Sequence, residues 1–547
     1  MKTIKEVIFF SALFFSLISC NYLIDIKKQT SMTEFNSDEL KYRPSFHFSP
    51  KKNWMNDPNG MFFYKGVYHL YYQHNPDASV WGPMHWGHAT SLDLKHWEEQ
   101  PIALFPDDLG TIFSGSAVVD YNNTSGLGQE GNPAIIAIYT NHDSEKASIG
   151  KEINFQTQSI AYSLDSGQTW TKYTANPVLK NPGIIDFRDP KVFWYESDQK
   201  WVMTLAAGQE IQFYESKNLL SWTYLSSFGE GVGNHKGVWE CPDLFPLPLK
   251  GTETTKWVQL LSINPGGPNG GSATQYFVGE FDGTNFIIDS DFKSSMDKEH
   301  NFWLDFGRDN YAGVSFSNLS TEANGVVYLG WMSNWNYANE VPTTTWRSAM
   351  TLPRELELIH AEGDYRLRSI PPSNWDEYTT RKLAEESRYF EKQTTLVASG
   401  QINLLGAQIK LDLLDLKEEI YTFFLENKEG DVLTFGYNHE TYQFFIDRSK
   451  TGKTNFSEKF STKPSVAPRT KKGSSLAITI ILDKASIELF FDEGETVMTE
   501  IFFTKAPFET FRLETSSGKA TLGNLEIKEL MKKQELLGVT KILHQIF

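Results

Sequence analysis

The strongest constraint on the fold is a short unit that occurs three times. Ser91-Leu92-Asp93-Leu94-Lys95-His96-Trp97, Ser163-Leu164-Asp165-Ser166-Gly167-Gln168-Thr169-Trp170 and Ser216-Lys217-Asn218-Leu219-Leu220-Ser221-Trp222 each follow a β-run. Each ends in a Trp that opens another extended segment. One such small sheet cannot bury both its faces alone. Copies spaced by some tens of residues therefore point to a radial array, a β-propeller. A β-sandwich with coincidental Trp corners is the competing reading.

The rest of residues 42–358 agrees with a sheet-built domain. Runs such as Tyr68-His69-Leu70-Tyr71-Tyr72, Ala134-Ile135-Ile136-Ala137-Ile138-Tyr139 and Val326-Val327-Tyr328-Leu329 are separated by turn pairs. Lys65-Gly66, Asn122-Asn123, Asp282-Gly283 and Asn324-Gly325 are hairpin-type signals. Long helical periodicity is absent. The charged stretch 359–390 breaks the pattern and is read as a linker. Residues 391–528 return to alternating strands that suit a two-sheet sandwich, and 529–547 read as a short helical or frayed tail.

The N-terminus reads as an address. In residues 1–19, Lys2 and Lys5 precede an apolar run from Val7 to Ile18, too short to span a bilayer comfortably. Leu17-Ile18-Ser19-Cys20 resembles the lipobox of bacterial lipoproteins, which implies acylation of Cys20, a polar tether over 20–41 and a membrane-anchored exported protein. An ordinary secretion signal is the alternative. Only Cys20 and Cys241 are present, so a lipidated Cys20 leaves Cys241 unpaired.

Composition narrows the partners. Aromatics make up 14% of the 547 residues, which suits stacking on flat sugar faces. A net charge of −17 spread along the chain argues against nucleic acid. His85 and His88 have a ligand-like gap, with His69, His74 and His96 nearby. No His-Glu-x-x-His or paired-Cys pattern accompanies them, so no metal is expected. The run Gly266 to Gly271 lacks the Lys and Ser/Thr of a phosphate loop and reads as a turn near a substrate cleft.

Three carboxylate motifs carry the chemistry. Asp57 lies in Trp54-Met55-Asn56-Asp57-Pro58-Asn59-Gly60, Asp189 in Phe187-Arg188-Asp189-Pro190, and Glu240 in Trp239-Glu240-Cys241-Pro242-Asp243. Taken singly, these are a capped turn, a surface ion pair and a strand-edge residue. Taken together, they supply the two carboxyl groups that glycosidic cleavage needs, and one more. Trp239 and Pro242 are expected to shield Glu240 and keep it an acid, while Arg188 is expected to keep Asp189 ionised. Cys241 either tunes Glu240 by packing beside it or fills space.

The three motifs, in this order, resemble glycoside hydrolase family 32, the fructan hydrolases and invertases. Tyr72-Gln73-His74-Asn75-Pro76, Phe113-Ser114-Gly115-Ser116, Trp331-Met332-Ser333-Asn334-Trp335, Trp346-Arg347-Ser348-Ala349-Met350 and Leu352-Pro353-Arg354-Glu355 extend the resemblance. It implies an all-β protein, a five-bladed β-propeller followed by a C-terminal β-sandwich, with no cofactor. By the same resemblance Asp57 is the nucleophile, Glu240 the general acid/base and Asp189 the transition-state stabiliser. Trp54, Asn56, Gln73, Trp81, Phe113, Ser114, Arg188 and Trp335 are then substrate-binding. The implied reaction releases terminal β-D-fructofuranosyl units from levan- or inulin-type fructans, with sucrose hydrolysis or fructosyl transfer as alternatives. A surface lipoprotein that binds carbohydrate without cleaving it is the reading from a different class.

Overall fold

The computed structural model describes residues 41–150, 153–319, 325–417 and 419–530. The lipobox, most of the tether and residues 531–547 of the tail lie outside them. Four antiparallel sheets follow one another with a common order. The first holds β1 (Asn53–Tyr64), β2 (Val67–Asn75), β3 (His85–Ser91) and β4 (Glu98–Leu104). The second holds β5 (Thr111–Val119), β6 (Ile135–His142), β7 (Gln156–Ser163) and β8 (Thr171–Lys172). The third runs through β9 (Phe187–Tyr195), β10 (Lys200–Ala207), β11 (Glu210–Ser216) and β12 (Thr223–Phe228). The fourth contains β13 (Val238–Pro248), β14 (Thr255–Asn264), β15 (Ala273–Phe281) and β16 (Phe286–Ile288).

A fifth blade holds β17 (Tyr311–Ser315) and β18 (Val326–Met332). Two short strands follow, β19 (Trp346–Arg347) and β20 (Ala349–Met350), then β21 (Arg354–Ala361) and β22 (Asp364–Ile370) complete the blade. The first strands β1, β5, β9, β13 and β17 pack each against the next, and β17 returns to β1. Parallel pairing of β19 with β1 and a bridge from Phe62 to Ser317 stitch the last blade to the first. The ring is a five-bladed propeller.

The repeated Ser-turn-Trp unit is the hairpin joining the third strand of a blade to the segment after it. Ser91, Ser163 and Ser216 end β3, β7 and β11, and their hydroxyls accept from the backbone N–H of Leu94, Gly167 and Leu219 at 2.8, 2.9 and 2.8 Å. Asp93, Asp165 and Asn218 then each accept two further turn N–H groups. These side chains satisfy a tight turn's donors where no ladder can. The fourth blade uses Asp282 alike, without the Ser and the Trp.

The C-terminal strands are β23 (Thr379–Glu385), β24 (Arg388–Val397), β25 (Ala407–Leu414), β26 (Ile420–Glu426), β27 (Val432–Asn438) and β28 (Gln443–Lys450). After them come β29 (Ser465–Pro468), β30 (Leu476–Asp483), β31 (Ser486–Phe491), β32 (Thr496–Ile501) and β33 (Thr510–Leu530). The 21-residue β33 serves both layers. Its first part pairs with β26, its last part with β25 and β23. The sheet folds over this strand, so Phe444 of β28 stacks on Phe491 of β31 with centroids 3.9 Å apart. The sandwich thus has two layers hydrogen-bonded through one strand.

The stretch 359–390 differs from the linker expectation. Residues to Ile370 finish the fifth blade, and β23 begins at Thr379. Of the charges that suggested a linker, Arg381 and Lys382 are exposed, while Arg366 and Arg368 are largely covered, Arg368 by Glu495 of the sandwich at 2.6 Å. Leu358, Leu367 and Tyr378 are buried between them. One apolar cluster runs from Phe302, Leu356 and Leu358 of the propeller into Leu476, Leu489 and Leu525 of the sandwich.

Candidate active site

Every first strand of a blade is irregular near its beginning. Pairing registers shift between Met55 and Pro58 in β1, Ile112 and Gly115 in β5, Glu240 and Asp243 in β13, and Tyr311 and Val314 in β17. The β9–β10 register shifts across Asp189 and Pro190. A bulge frees a residue from the ladder and re-aims it, and Pro is tolerated there because it has no N–H to donate. This accounts for Asp57-Pro58, Asp189-Pro190 and Cys241-Pro242 standing at equivalent places. Asp189 and Cys241 both take positive φ, 66° and 48°. The five bulges gather at one mouth of the ring.

There a cavity of about 390 Å³ is lined by Asn56, Asp57, Gln73, Trp81, Phe113, Ser114, Arg188, Asp189, Glu240 and Trp335. Ten residues named from sequence therefore converge. Trp54 is the exception: it is fully buried under Trp335, ring centroids 5.8 Å apart, and its indole N–H donates to Asn56 Oδ1 at 2.7 Å. It supports the pocket from beneath.

The carboxylates crowd one another. Asp57 accepts from Ser114 Oγ at 2.6 Å and Asn56 Nδ2 at 2.9 Å. Burial still pushes its pKa up to about 6, with Glu240 adding repulsion. Asp189 accepts from the Cys241 backbone N–H at 3.0 Å, and Arg188 Nε lies 3.9 Å away. Burial, with repulsion from Glu240 and Asp57, outweighs that guanidinium and pushes Asp189 up to about 7. Burial thus opposes the expectation that Asp189 is held ionised by Arg188. Arg188 also binds Asp186 and donates to Glu240 Oε1 at 2.9 Å.

Glu240 differs from expectation in its shielding. Its strand neighbour Trp239 points to the opposite face, into the core, donating to Asn234 O. The groups facing Glu240 are Arg188 and the Tyr311 hydroxyl, which donates to Oε2. Cys241 Sγ sits 3.7 Å from both Asp57 Oδ2 and Asp189 Oδ2, so the thiol adjoins the other two carboxylates.

Asp186, Tyr311, His142, Phe155 and Gln156 were missed in the sequence. His142 stacks on Phe113 at 4.3 Å, and burial lowers its pKa to about 4, keeping it neutral. Tyr311 could have been found by one signal. It opens the fifth inner strand one residue before the positive-φ Ala312, as Glu240 stands one residue before Cys241. Elsewhere, His69 and His88 stack in the first blade with ring nitrogens 3.1 Å apart.

The family models for the "Glycosyl hydrolases family 32 N-terminal domain" and "Glycosyl hydrolases family 32 C terminal" match residues 47–371 and 379–529. The chain belongs to glycosyl hydrolase family 32. It is 44% identical to a levanase of Bacillus subtilis over 495 residues, 90% of this chain and 71% of that one. It is 40% identical to an extracellular exo-inulinase of Aspergillus niger, covering 88% and 93%. The crystal structure of exo-inulinase from Aspergillus awamori superposes with a TM-score of 0.81 at 36% identity, covering 90% and 98%. The enzyme is a glycosidase with the propeller-and-sandwich fold of its family.

Proposed function

We propose that the enzyme removes terminal β-D-fructofuranosyl units from levan- or inulin-type fructans by a retaining mechanism. The observation that carries the reading is the convergence of Asp57, Glu240 and Asp189, with Arg188, in one cavity. The similarity to levanase and exo-inulinase supports the substrate class. Asp57 Oδ attacks the anomeric carbon while protonated Glu240 gives its proton to the glycosidic oxygen. The leaving sugar departs as an alcohol and a fructosyl ester of Asp57 remains. Glu240, now a carboxylate, takes a proton from water, whose oxygen attacks the same carbon and releases fructose and the Asp57 carboxylate. Asp189 holds sugar hydroxyls throughout.

Arg188 has a defined part in this cycle. Its guanidinium donates to Glu240 Oε1 and holds that carboxyl group in place at the cavity wall. Asp57 must be ionised to attack, so kcat/KM falls as pH drops through about 6. Sucrose cleavage fits the 36% identity to an invertase of Debaryomyces hansenii. Relatives named as extracellular support export, and acylation of Cys20 would tether the enzyme to a membrane surface. Among the described residues no helix is long and apolar enough to cross a membrane.

Fructose release from levan, inulin and sucrose tests the reading. Wild type should release it, and Asp57→Ala and Glu240→Ala should not. A wild type that binds fructan without cleaving it would overturn the assignment. Detergent-phase partition that Cys20→Ala fails to abolish would remove the lipid anchor.

A further inference from the structure

We propose that the sandwich domain positions the walls of the substrate cavity through Arg448 and Tyr337. Trp81 and Trp335 both line the cavity, yet both stand on loops, 76–84 between β2 and β3 and 333–345 between β18 and β19. Loops hold a sugar-stacking ring in place only if something fixes their backbone.

Tyr337 is the fixed point. Its hydroxyl donates to Asp309 Oδ1 at 2.7 Å and accepts from Arg448 Nη2 at 2.8 Å. Arg448, on β28 of the sandwich, is buried and pairs with Asp309 at 2.6 Å and Glu500 at 2.8 Å. Two residues before Tyr337 stands Trp335, inside a turn closed by the Tyr337 and Ala338 N–H groups on Asn334 O. Two residues after it, Asn339 Oδ1 accepts the backbone N–H of Trp81 at 2.9 Å. One anchored tyrosine thus sets both tryptophans.

A second strut runs from the sandwich to the same turn. Asn269 and Val466 of β29 exchange two hydrogen bonds, at 2.8 and 3.0 Å. The Gly270 carbonyl next to it accepts from Asn334 Nδ2. At Gly271 a Cβ would come within 2.1 Å of Asn334 Oδ1, so the glycine-rich run is what lets the turn seat. The side chains of Asp57 and Glu240 make no hydrogen bond in this relay, whose nearest approach to the nucleophile is the Trp335 ring over Trp54 of β1. Its loss should weaken the grip on substrate and leave the chemistry intact.

The proposal rests on fructan hydrolysis, and the test separates the two. Tyr337→Phe removes one hydroxyl and leaves Arg448 paired with Asp309 and Glu500, so folding is retained. Its KM for inulin should rise about fivefold, the worth of one hydrogen bond, with kcat unchanged. Arg354→Lys, at another buried contact between propeller and sandwich, should lower Tm without moving KM. An unchanged KM in Tyr337→Phe, a fall in kcat, or an equal KM rise in Arg354→Lys would overturn the relay. Inactive wild type would instead overturn the proposed function.

Discussion

Two clusters of buried carboxylates in this chain have opposite electrostatics. At the interface between propeller and sandwich, Arg354 lies between Asp305 at 2.8 Å and Glu488 at 2.6 Å. His47 spans Glu488 at 2.7 Å and Asp483 at 2.8 Å. Burial works against every charge there, yet hydrogen bonds and opposite charge overcome it. Asp483 and Glu488 fall to about 2 and His47 rises to about 9. At the catalytic mouth one guanidinium serves Asp186, Asp189 and Glu240, with Asp57 beside them, and Asp57 and Asp189 rise. Burial is common to both places; hydrogen bonds and opposite charge overcome it at Asp483 and Glu488 and do not at Asp57 and Asp189. Charge that is matched holds domains together; charge left in excess is available for reaction.

The sharpest way to break this contrast is to remove one carboxylate from each cluster. Asp57→Asn should lower kcat by about 10⁴-fold or more, the usual loss on deleting a nucleophile. It should leave Tm equal or higher, because it removes a charge that burial disfavours. Fructose release and thermal unfolding read both. Glu488→Gln should do the reverse. Arg354 and His47 lose their shared partner, which costs about 3–5 kcal/mol for a broken buried pair, seen as an earlier urea midpoint with kcat per folded molecule unchanged. A Tm loss in Asp57→Asn as large as in Glu488→Gln would end the distinction.

The two clusters also differ in how far the sequence betrays them. Asp57, Asp189 and Cys241 each precede a Pro, because an inner strand must bulge there and Pro is at home in a bulge. The site therefore leaves a local signature, readable three times over. Hairpins repeat a Ser and an Asp or Asn for equally local reasons, so the propeller was visible too. Arg354 and Glu488 meet only because β21 and β31 belong to domains that dock, and nothing near either residue announces the other. Tyr311 was missed for a related cause: its hydroxyl reaches Glu240 from another blade. The linker expectation failed because charged strands look like loops when their burial is unknown.

A pH series sharpens the interface side. His47 has a folded pKa of about 9 against an ordinary 6.5, so its contribution is full below about 6.5 and is lost as pH rises through 9. Asp483 and Glu488, depressed to about 2, contribute fully above their ordinary 3.8 and 4.5, and lose that contribution as pH falls towards 2. The docked domains should be most stable between about 4.5 and 6.5. In His47→Gln the decline in Tm between 6.5 and 9 should flatten. A variant that keeps the wild-type decline would place its origin elsewhere.

The smallest effect tests the catalytic side by the same logic. Ser114 donates to Asp57 Oδ2 at 2.6 Å and is the strongest of the contacts that hold its pKa down against burial. Ser114→Ala removes a donor to the charged form, which favours the neutral acid. The acid limb of kcat/KM should then move upward from about 6 by roughly 1 pH unit, the scale of one hydrogen bond to a charged group. The plateau above it should change less than the limb, since Asp57 ionises there in both proteins. A limb that stays in place while the plateau falls would mean that Ser114 holds the sugar and does not tune the carboxylate. The pKa of Asp57 would then be set by burial and Glu240 against Asn56 and Cys241.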